Sequence, residues 1–307
     1  MSNSTRYTTI VLAGYMDVGE IKYLYFTILL LLYITIILAN SLLIGVISVE
    51  RTLHEPMYMF LCSLSVNELY GSAAFFPAIL THMLSKSHEV PIAHCYVQIF
   101  SLYTYASVEL GNLAIMSYDR YTAICYPLLY SSIMTHTRVY TLIGLVWLIS
   151  FAKFTINLLI NLNLELCANV IEKVWCDNYL IVKLACSDTT VSNIYGTVGS
   201  IISILVPLLL IIYSYIQIWR ACLTSSAETT QKAILTCTPH IASLLNFSFG
   251  CSFEMFSSRF NKVYMPPVLR VIISVYFVIC PPLLNPIMYG IRLTKIKMAF
   301  KTKINHS

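Results

Sequence analysis

The sequence predicts an all-α membrane protein built as a seven-transmembrane helix bundle. Two observations lead to this fold class. Of the 307 residues, 58% are hydrophobic and only 11% are charged, whereas roughly a quarter of the residues in a soluble domain are charged. The apolar residues also fall in blocks of at least about 20, the length that a helix needs to cross a bilayer. None of these blocks alternates as the strands of a membrane β-barrel do.

Seven apolar blocks are separated by short polar segments. They cover residues 23–49, 57–82, 97–126, 139–160, 194–221, 233–256 and 267–291. No polar segment between them is long enough for a soluble domain, so one domain is expected over residues 1–307. An outer tail (1–22) precedes the bundle (23–291), and an inner tail (292–307) follows it.

The segment before the first block lacks an apolar core followed by a cleavage site, so no removable signal peptide is expected. The first span should act as the membrane anchor. Lys and Arg concentrate on the inner side of membrane proteins, and with the N-terminus outside, ten of these residues lie inside and seven outside. This bias predicts an N-terminus on the outer side, where Asn3 begins a usable glycosylation sequon.

The second and third spans each carry an acid at mid-depth. Glu68 and Glu109 both lie about 12 residues into their spans, so antiparallel neighbouring helices would bring them to one level. An ionisable residue inside a membrane is costly and indicates function. The two acids can share a proton, or hold a small hard cation with amide oxygens from Asn40, Asn67 or Asn285. Neutral, hydrogen-bonded acids and a transporter's proton relay are the alternatives.

The inner end of the third span carries Asp119 beside Arg120. Arg120 can extend toward the aqueous side and pair with the carboxylate, which makes the charge tolerable and the pair a candidate switch. Further along the chain, prolines interrupt the last three spans. Each removes a backbone hydrogen bond and creates a potential hinge. They are Pro207, Pro239, Pro281, Pro282 and Pro286.

Four of the ten cysteines lie on the predicted outer side. They are Cys95, Cys167, Cys176 and Cys186. An even number in an oxidising compartment predicts two disulfides. Three pairings are open, and a zinc site is disfavoured because the loop cysteines are not spaced as in a zinc finger.

The inner tail places apolar residues on one helical face with lysines around them. The apolar residues are Leu293, Ile296, Ala299 and Phe300. This pattern predicts a short amphipathic helix on the anionic inner leaflet. The net charge of +5 therefore has a membrane explanation, and no nucleic-acid partner is expected.

Several segments resemble the odorant receptor family of rhodopsin-like G-protein-coupled receptors. They are Pro56–Ser65, Met116–Cys125, Ser214–Tyr215, Lys232–His240 and Pro281–Gly290. The Asp-Arg-Tyr and Asn-Pro-x-x-Tyr motifs within them indicate only the superfamily. The longer run that ends in Ala-Ile-Cys, and the Lys-Ala-x-x-Thr-Cys-x-x-His segment, are specific to odorant receptors. The resemblance covers essentially the whole chain.

The resemblance implies pairings and roles for individual residues. It pairs Cys95 with Cys176 and Cys167 with Cys186. It makes Glu68, Glu109 and Asn285 a sodium site, and no other cofactor is expected. A set of switch residues would rearrange to open the inner face to the stimulatory olfactory G-protein, which raises cyclic AMP. That set is Asp119, Arg120, Tyr121, Tyr215, His240 and Tyr289.

The chain departs from the family pattern at several positions. Ala39 replaces the usual Gly before Asn40, Pro239 follows Thr238, and Ser248 stands where the family has Tyr. Together with the Ser-Arg-Phe run at 258–260, these features resemble the fish-type or class I branch, which handles water-soluble odorants. Coupling of ligand to helix through the missing tyrosine is in doubt.

Helical spacing on the third and sixth spans predicts a ligand site. Its expected lining is Tyr103, Ala106, Ser107, Leu110, Cys251, Ser252, Met255 and Arg259. Arg259 matches a position used for carboxylate recognition in class I members, and its guanidinium suits a bidentate acid. The expected ligand is therefore a small anionic or zwitterionic odorant. Alternatively, Arg259 extends to the outer headgroups or pairs with Asp188.

No nucleotide loop, metal-hydrolase His pair or nucleophile elbow occurs, so an enzyme is not expected. The leading hypothesis is an odorant receptor. A non-olfactory chemoreceptor of the same fold is an alternative. A small proton- or ion-coupled transporter is disfavoured, because seven spans without an internal repeat do not suit the inverted-repeat folds.

Overall fold

The computed structural model describes residues 7–15, 19–259 and 267–292. Seven long helices and two short ones occur within these ranges. In chain order they are α1 (Ile21–Val49), α2 (Pro56–Leu84), α3 (Ile92–Cys125), α4 (Tyr130–Ile133), α5 (His136–Asn161), α6 (Asn178–Lys183), α7 (Thr190–Leu223), α8 (Ala227–Arg259) and α9 (Pro267–Arg292). Short α4 and α6 lie in connecting segments. Each predicted span coincides with one long helix, so the seven-helix prediction is confirmed.

Local sequence signals explain where several helices begin. Pro56 occupies the first turn of α2, where its missing N–H has no helical partner in any case. Thr135 precedes α5, and its hydroxyl oxygen accepts a bond from the Arg138 N–H. Asp177 caps α6 in the same way through the Leu180 N–H, at 3.0 Å. Such caps satisfy donors that a helix end leaves without partners.

Four of the long helices are apolar enough by composition alone to cross a membrane. They are Ile21–Val49, His136–Asn161, Thr190–Leu223 and the Val271–Gly290 part of α9. Helices α2, α3 and α8 are less apolar because they carry the polar side chains that face the interior, among them Glu68, Glu109 and His240, all fully or almost fully buried. Leu38, Leu148 and Leu209 instead lie on the outer surface, each more than 60% exposed. Polar groups inside and apolar groups outside are typical of a bundle solvated by lipid.

Prolines in α9 are compensated by neighbouring helices. Pro286 has no N–H, so the carbonyl of Pro282, four residues earlier, loses its helical donor. The Asn40 amide of α1 donates to that carbonyl at 2.9 Å. Pro281 likewise frees the Phe277 carbonyl, which accepts the Tyr105 hydroxyl of α3 at 3.2 Å. The helix continues through these prolines, and the freed carbonyls attach it to α1 and α3.

Close approach of α2 and α3 depends on one glycine. A β-carbon at Gly71 would overlap the ring of Tyr105, which is itself fully buried. Only glycine allows this contact, because no other residue lacks a β-carbon. The contact places the Tyr105 hydroxyl at the centre of the bundle.

A small sheet covers the outer end of the bundle. It consists of β1 (Thr9–Leu12), β2 (Glu89–Pro91) and β3 (Val170–Ile171), in the order β2-β1-β3. β1 pairs antiparallel with β2 and parallel with β3. The sequence alone predicted only a polar tail for these N-terminal residues. They form a strand because Ile10 and Leu12 are buried against the connecting loops.

Two disulfides hold this outer cap together. Cys95 at the start of α3 pairs with Cys176, and Cys167 pairs with Cys186. These are the pairings that the resemblance implied, and both join outer segments. The glycosylation sequon at Asn3 and the amphipathic segment at 293–307 lie outside the described residues, so both stay predictions.

We predict that Asn40→Leu destabilises the protein, because it leaves the Pro282 carbonyl buried without a donor. The expected loss is about 1 kcal/mol of unfolding free energy, measured as a lower thermal unfolding midpoint of the purified protein in detergent. Thr35→Val on the same helix is the matched control, since the Thr35 hydroxyl donates to Leu31 of its own helix and, within the described ranges, to no other helix. Equal midpoints for the two variants would contradict this assignment.

Candidate functional site

A cavity of about 180 Å³ lies beneath the outer cap, between α3, α5, α7, α8 and α9. Part of its wall is apolar, as at Leu102, Leu110, Phe154, Ile204 and Phe277. Hydroxyl and amide groups from α7 and the outer loop form the rest. Such a mixture is typical of small-molecule sites, where apolar walls supply contact area and a few polar groups fix orientation.

Most of the described sequence-predicted ligand residues lie along this cavity. Tyr103, Ala106, Ser107, Leu110 and Cys251 line it. The structure does not bring Ser252 to it. Ser252 is exposed on α8, because one residue further along a helix turns the side chain by about 100°. The side chains of Met255 and Arg259 lie outside the described residues, so their roles stay predictions.

Sequence reasoning missed the polar face of α7. Its cavity-lining members are Ser192, Asn193, Gly196, Thr197, Ser200 and Ser203. They recur at the three- and four-residue steps of one helical face. That periodicity of small polar residues within an apolar span was the available signal. The loop residues Trp175 and Asp177, by contrast, reach the cavity through tertiary folding alone.

The outer end of the cavity carries a buried ion network. The Lys173 ammonium donates to Asp177 Oδ2 at 3.0 Å and to Glu254 of α8. Burial lowers the pKa of Lys173, but the carboxylates of Asp177 and Glu254 outweigh that effect, so its pKa is raised. Trp175 next to them donates its indole N–H to Ser274 of α9 at 3.0 Å. The outer loop is thereby bonded to two of the helices that enclose the cavity.

Lys153 of α5 lies behind two hydroxyls that line the cavity, those of Ser107 and Ser203. Its ammonium donates to Ser107 Oγ of α3 at 2.9 Å and to Ser203 Oγ of α7. Ser150 also donates to Ser107 Oγ, at 2.9 Å. The ammonium lies 4.3 Å from the ring centre of Phe154. Three helices therefore meet at one cation.

A polar cluster occupies the middle of the bundle below the cavity. The Asn285 amide nitrogen donates to Glu68 Oε1 at 2.5 Å and to Glu109 Oε1 at 3.1 Å. Asn67 donates to Glu109 Oε2 at 2.9 Å, and Tyr105 donates to Glu68 Oε2 at 3.3 Å. The sequence-based prediction that the two acids lie at one depth is confirmed, and one amide joins them.

The cluster fits a small cation through Glu68, Glu109 and Asn67, and Asn67 is one of the three amides that the sequence offered for this site. Glu68 and Glu109 supply carboxylate oxygens, and the buried Asn67 Oδ1 has no hydrogen-bond partner among the described residues. Oxygen ligands of this kind suit hard cations. Asn285, however, turns its hydrogens to the acids, while its oxygen accepts from Ser243 at 2.7 Å. Asn285 therefore bridges the acids rather than offering them an oxygen.

A closed ion pair lies at the inner end of α3. The Arg120 guanidinium bonds to Asp119 Oδ2 through Nε, at 3.0 Å, and through Nη2. The Tyr130 hydroxyl of α4 donates to Asp119 Oδ1 at 2.7 Å. Asp119 is fully buried. Sequence reasoning found the ion pair but missed Tyr130, which adds a third bond to the carboxylate from a short connecting helix.

Of the four remaining predicted switch residues, three lie in the interior of the bundle and one lies apart from them. His240 Nε2 lies 2.8 Å from the Leu113 carbonyl, which can only accept, so Nε2 carries the hydrogen and Nδ1 accepts from the Tyr215 hydroxyl. This chain joins α3, α7 and α8. Tyr289 is fully buried in the core at the inner half. Tyr121 lies apart, in a ring cluster with Tyr126 and Tyr213.

Comparisons with known proteins assign a family to this arrangement. The family described as "Olfactory receptor" matches residues 29–306. The chain belongs to the olfactory receptor family. "Olfactory receptor 4B13" of Mus musculus is 33% identical over 98% of the chain and 97% of its own length. "Olfactory receptor 10T2" of Homo sapiens is 32% identical over 98% and 95%.

A solved structure supports the receptor fold independently. Squid rhodopsin superposes with a TM-score of 0.76, covering 98% of this receptor and 91% of that chain, at 18% identity. At this identity the similarity concerns the fold alone. Family and fold together make the protein an odorant receptor that couples to a G-protein, and not an enzyme.

We predict that Tyr130→Phe raises basal signalling of the receptor several-fold. The change removes one of the bonds that hold Asp119 in the closed ion pair, and a hydrogen bond to a charged group contributes about 1.5–3 kcal/mol. The measurement is cyclic AMP in unstimulated cells, normalised to receptor at the surface. Tyr126→Phe is the matched control, because that hydroxyl accepts from Tyr121 at the surface and has no bond to Asp119 among the described residues. Basal signalling that is equal in the two variants would exclude this role for Tyr130.

Proposed function

We propose that this olfactory receptor lies in the plasma membrane with its N-terminus outside, binds a small water-soluble odorant in the cavity, and activates the stimulatory olfactory G-protein to raise cyclic AMP. One observation carries the proposal. The cavity wall and the inner polar contacts share the same helices, because α3 and α8 each have residues at both. A ligand bound in the cavity can therefore shift the conformation of the inner face.

The disulfides support an extracellular N-terminus. Disulfides persist in oxidising compartments, and Cys95–Cys176 lies in the same outer cap as strand β1. A chain with Thr9–Leu12 in that cap would therefore have its N-terminal segment on the extracellular side. The excess of Lys and Arg at the opposite end agrees with this orientation.

The coupling path follows α8 and α3. On α8, Glu254 lines the cavity and His240 lies 14 residues earlier, which is about 21 Å along a helix. His240 contacts Leu113 of α3, and α3 continues to the Asp119–Arg120 pair. A ligand shifts this system only by its difference in affinity for the two states. The contacts of the ligand with α8 and the outer loop must therefore differ between the resting and the active state.

The cavity chemistry supports a small polar odorant of anionic or zwitterionic type. The cavity volume of about 180 Å³ is below the roughly 300–1,000 Å³ that is typical of sites for drug-sized ligands, which supports a small ligand. Hydroxyl and amide groups on α7 and α6 offer hydrogen bonds beside the apolar wall. The proposed fish-type branch is consistent with a water-soluble odorant.

The central acids support a sodium site in the resting receptor. Two buried carboxylates and the Asn67 oxygen would hold the ion, which would offset their charge in a low-dielectric interior. Among the described residues no third acid, His or Cys joins them, which suits a monovalent ion. A shared proton is the alternative occupant of the same cluster.

We predict that Arg120→Ala abolishes odorant-evoked cyclic AMP while leaving surface expression intact. The guanidinium would no longer be available to the G-protein after release from Asp119. The measurement is cyclic AMP in cells given a panel of short carboxylic acids, amino acids, amines and neutral odorants. A control is Arg138→Ala, since the Arg138 guanidinium contacts the half-buried Tyr118 of α3 and, among the described residues, forms no ion pair.

The outcomes of this assay separate the proposals. A response in Arg120→Ala equal to that of the original receptor would overturn the switch mechanism. The absence of any response at verified surface expression would overturn the stimulatory coupling. An acid response that persists in Arg259→Ala would exclude only the Arg259 contact.

We also predict that sodium chloride raises the thermal unfolding midpoint of the purified receptor more than choline chloride at equal ionic strength. Binding to the folded state alone stabilises it. Glu109→Gln should remove this difference, because it replaces a carboxylate ligand by an amide. Glu165→Gln, at an exposed loop position, should retain it. Equal midpoints in the two salts for the original receptor would favour a shared proton.

A further inference from the structure

We propose that Ser107, with Lys153 directly behind it, forms an anion-binding end of the cavity, and that the odorant places a carboxylate against Ser107. This inference deepens the proposed function, since it names the chemical group that the receptor recognises. It concerns α3 and α5, and it is independent of the Arg259 prediction.

The first step is the charge of Lys153. Its ammonium lies within the membrane span of α5, where a cation is costly unless it is paired. Its hydrogen-bond partners among the described residues are the neutral hydroxyls of Ser107 and Ser203. Within the described ranges, no Asp or Glu lies within 4.0 Å of it. Two hydroxyls solvate this charge but do not neutralise it, so a counter-ion would stabilise the site.

The second step is the hydrogen inventory of Ser107. A hydroxyl has one hydrogen and two lone pairs. Ser107 Oγ accepts from Lys153 Nζ and from Ser150 Oγ, both at 2.9 Å, so its lone pairs are used. Its own hydrogen has no acceptor among the described residues, and Ser107 lines the cavity. Ser203 differs, because its hydroxyl donates to the Gly199 carbonyl at 2.5 Å.

The third step is the chemistry that this donor prefers. A hydroxyl that accepts from an ammonium is polarised and donates more strongly, and bonds to a charged acceptor are about twice as strong as neutral ones. A carboxylate would accept from Ser107 and also supply the missing counter-ion for Lys153. The apolar side chains of Leu102, Leu110 and Ile204 would contact a short hydrocarbon chain. The expected ligand is therefore a small aliphatic carboxylate.

The first experiment compares cyclic AMP responses to butanoate, hexanoate and octanoate with responses to the corresponding alcohols. Lys153→Met removes the charge and keeps the apolar stem. We expect it to raise the half-maximal concentration for the active carboxylate by at least about tenfold, and to leave alcohol responses unchanged. Ser107→Ala should act in the same direction, and Lys153→Arg should retain most of the response. Lys86→Met, at an exposed outer-loop position, is the matched control and should behave as the original receptor.

The second experiment does not depend on the G-protein. Thermal unfolding of purified receptor is measured in hexanoate and in hexanol. Hexanoate should raise the midpoint of the original receptor and of Lys86→Met, and should not raise that of Lys153→Met. Stabilisation by hexanoate without any cyclic AMP response would support the anion site and overturn the signalling proposal.

Two results would overturn the anion site while leaving the receptor function intact. One is a receptor that responds to alcohols or other neutral odorants but neither responds to nor is stabilised by the carboxylates. The other is a carboxylate response that is equal in the original receptor and in Lys153→Met at matched surface expression. In either case Lys153 would be a structural link between α3, α5 and α7.

Discussion

Lipid surrounds the bundle, so polar groups in its middle must find partners on neighbouring helices. The Asn285 amide shows what this constraint does, since it donates to Glu68 of α2 and Glu109 of α3 from α9. Nearby, Asn40 and Tyr105 donate to carbonyls that prolines in α9 have freed. These bonds fix the depth of α9 against three other helices. The cavity above and the ion pair below both depend on that alignment.

Helix α3 links the three functional levels of the receptor. Ser107 lies at the cavity, Glu109 one half-turn further in the central cluster, and Asp119 at the inner end. Between them, the Leu113 carbonyl holds His240 of α8. A rigid helix carries displacement along its axis, so a change at one level alters the hydrogen bonds at the next. The outer loop reaches the same system through the contact of Lys173 with Glu254.

Parts of the site could be predicted because helical periodicity acts over short distances. Counting residues into two antiparallel spans predicts that Glu68 and Glu109 lie at the same depth in the membrane. The structure agrees. Tyr103, Ala106, Ser107 and Leu110 were found from spacing along one helix. Trp175 and Tyr130 were not, because they reach their partners through loops whose path depends on packing. Ser252 was predicted to line the cavity and does not, because residue spacing gives the face of a helix only approximately. Its neighbour Cys251 is the residue that lines the cavity.

By itself the sequence determined the number of membrane helices and, through family resemblance, the disulfide pairs and the receptor class. Hydropathy is a property of each segment, and the family motifs are local, so neither needs coordinates. Only the tertiary structure decided which distant parts of the chain meet. The strand at Thr9–Leu12 pairs with the outer loops, Tyr130 bonds to Asp119, and Lys153 bonds to Ser107. Hydrogen bonds form over about 3 Å, and the sequence does not specify distances between helices at that scale.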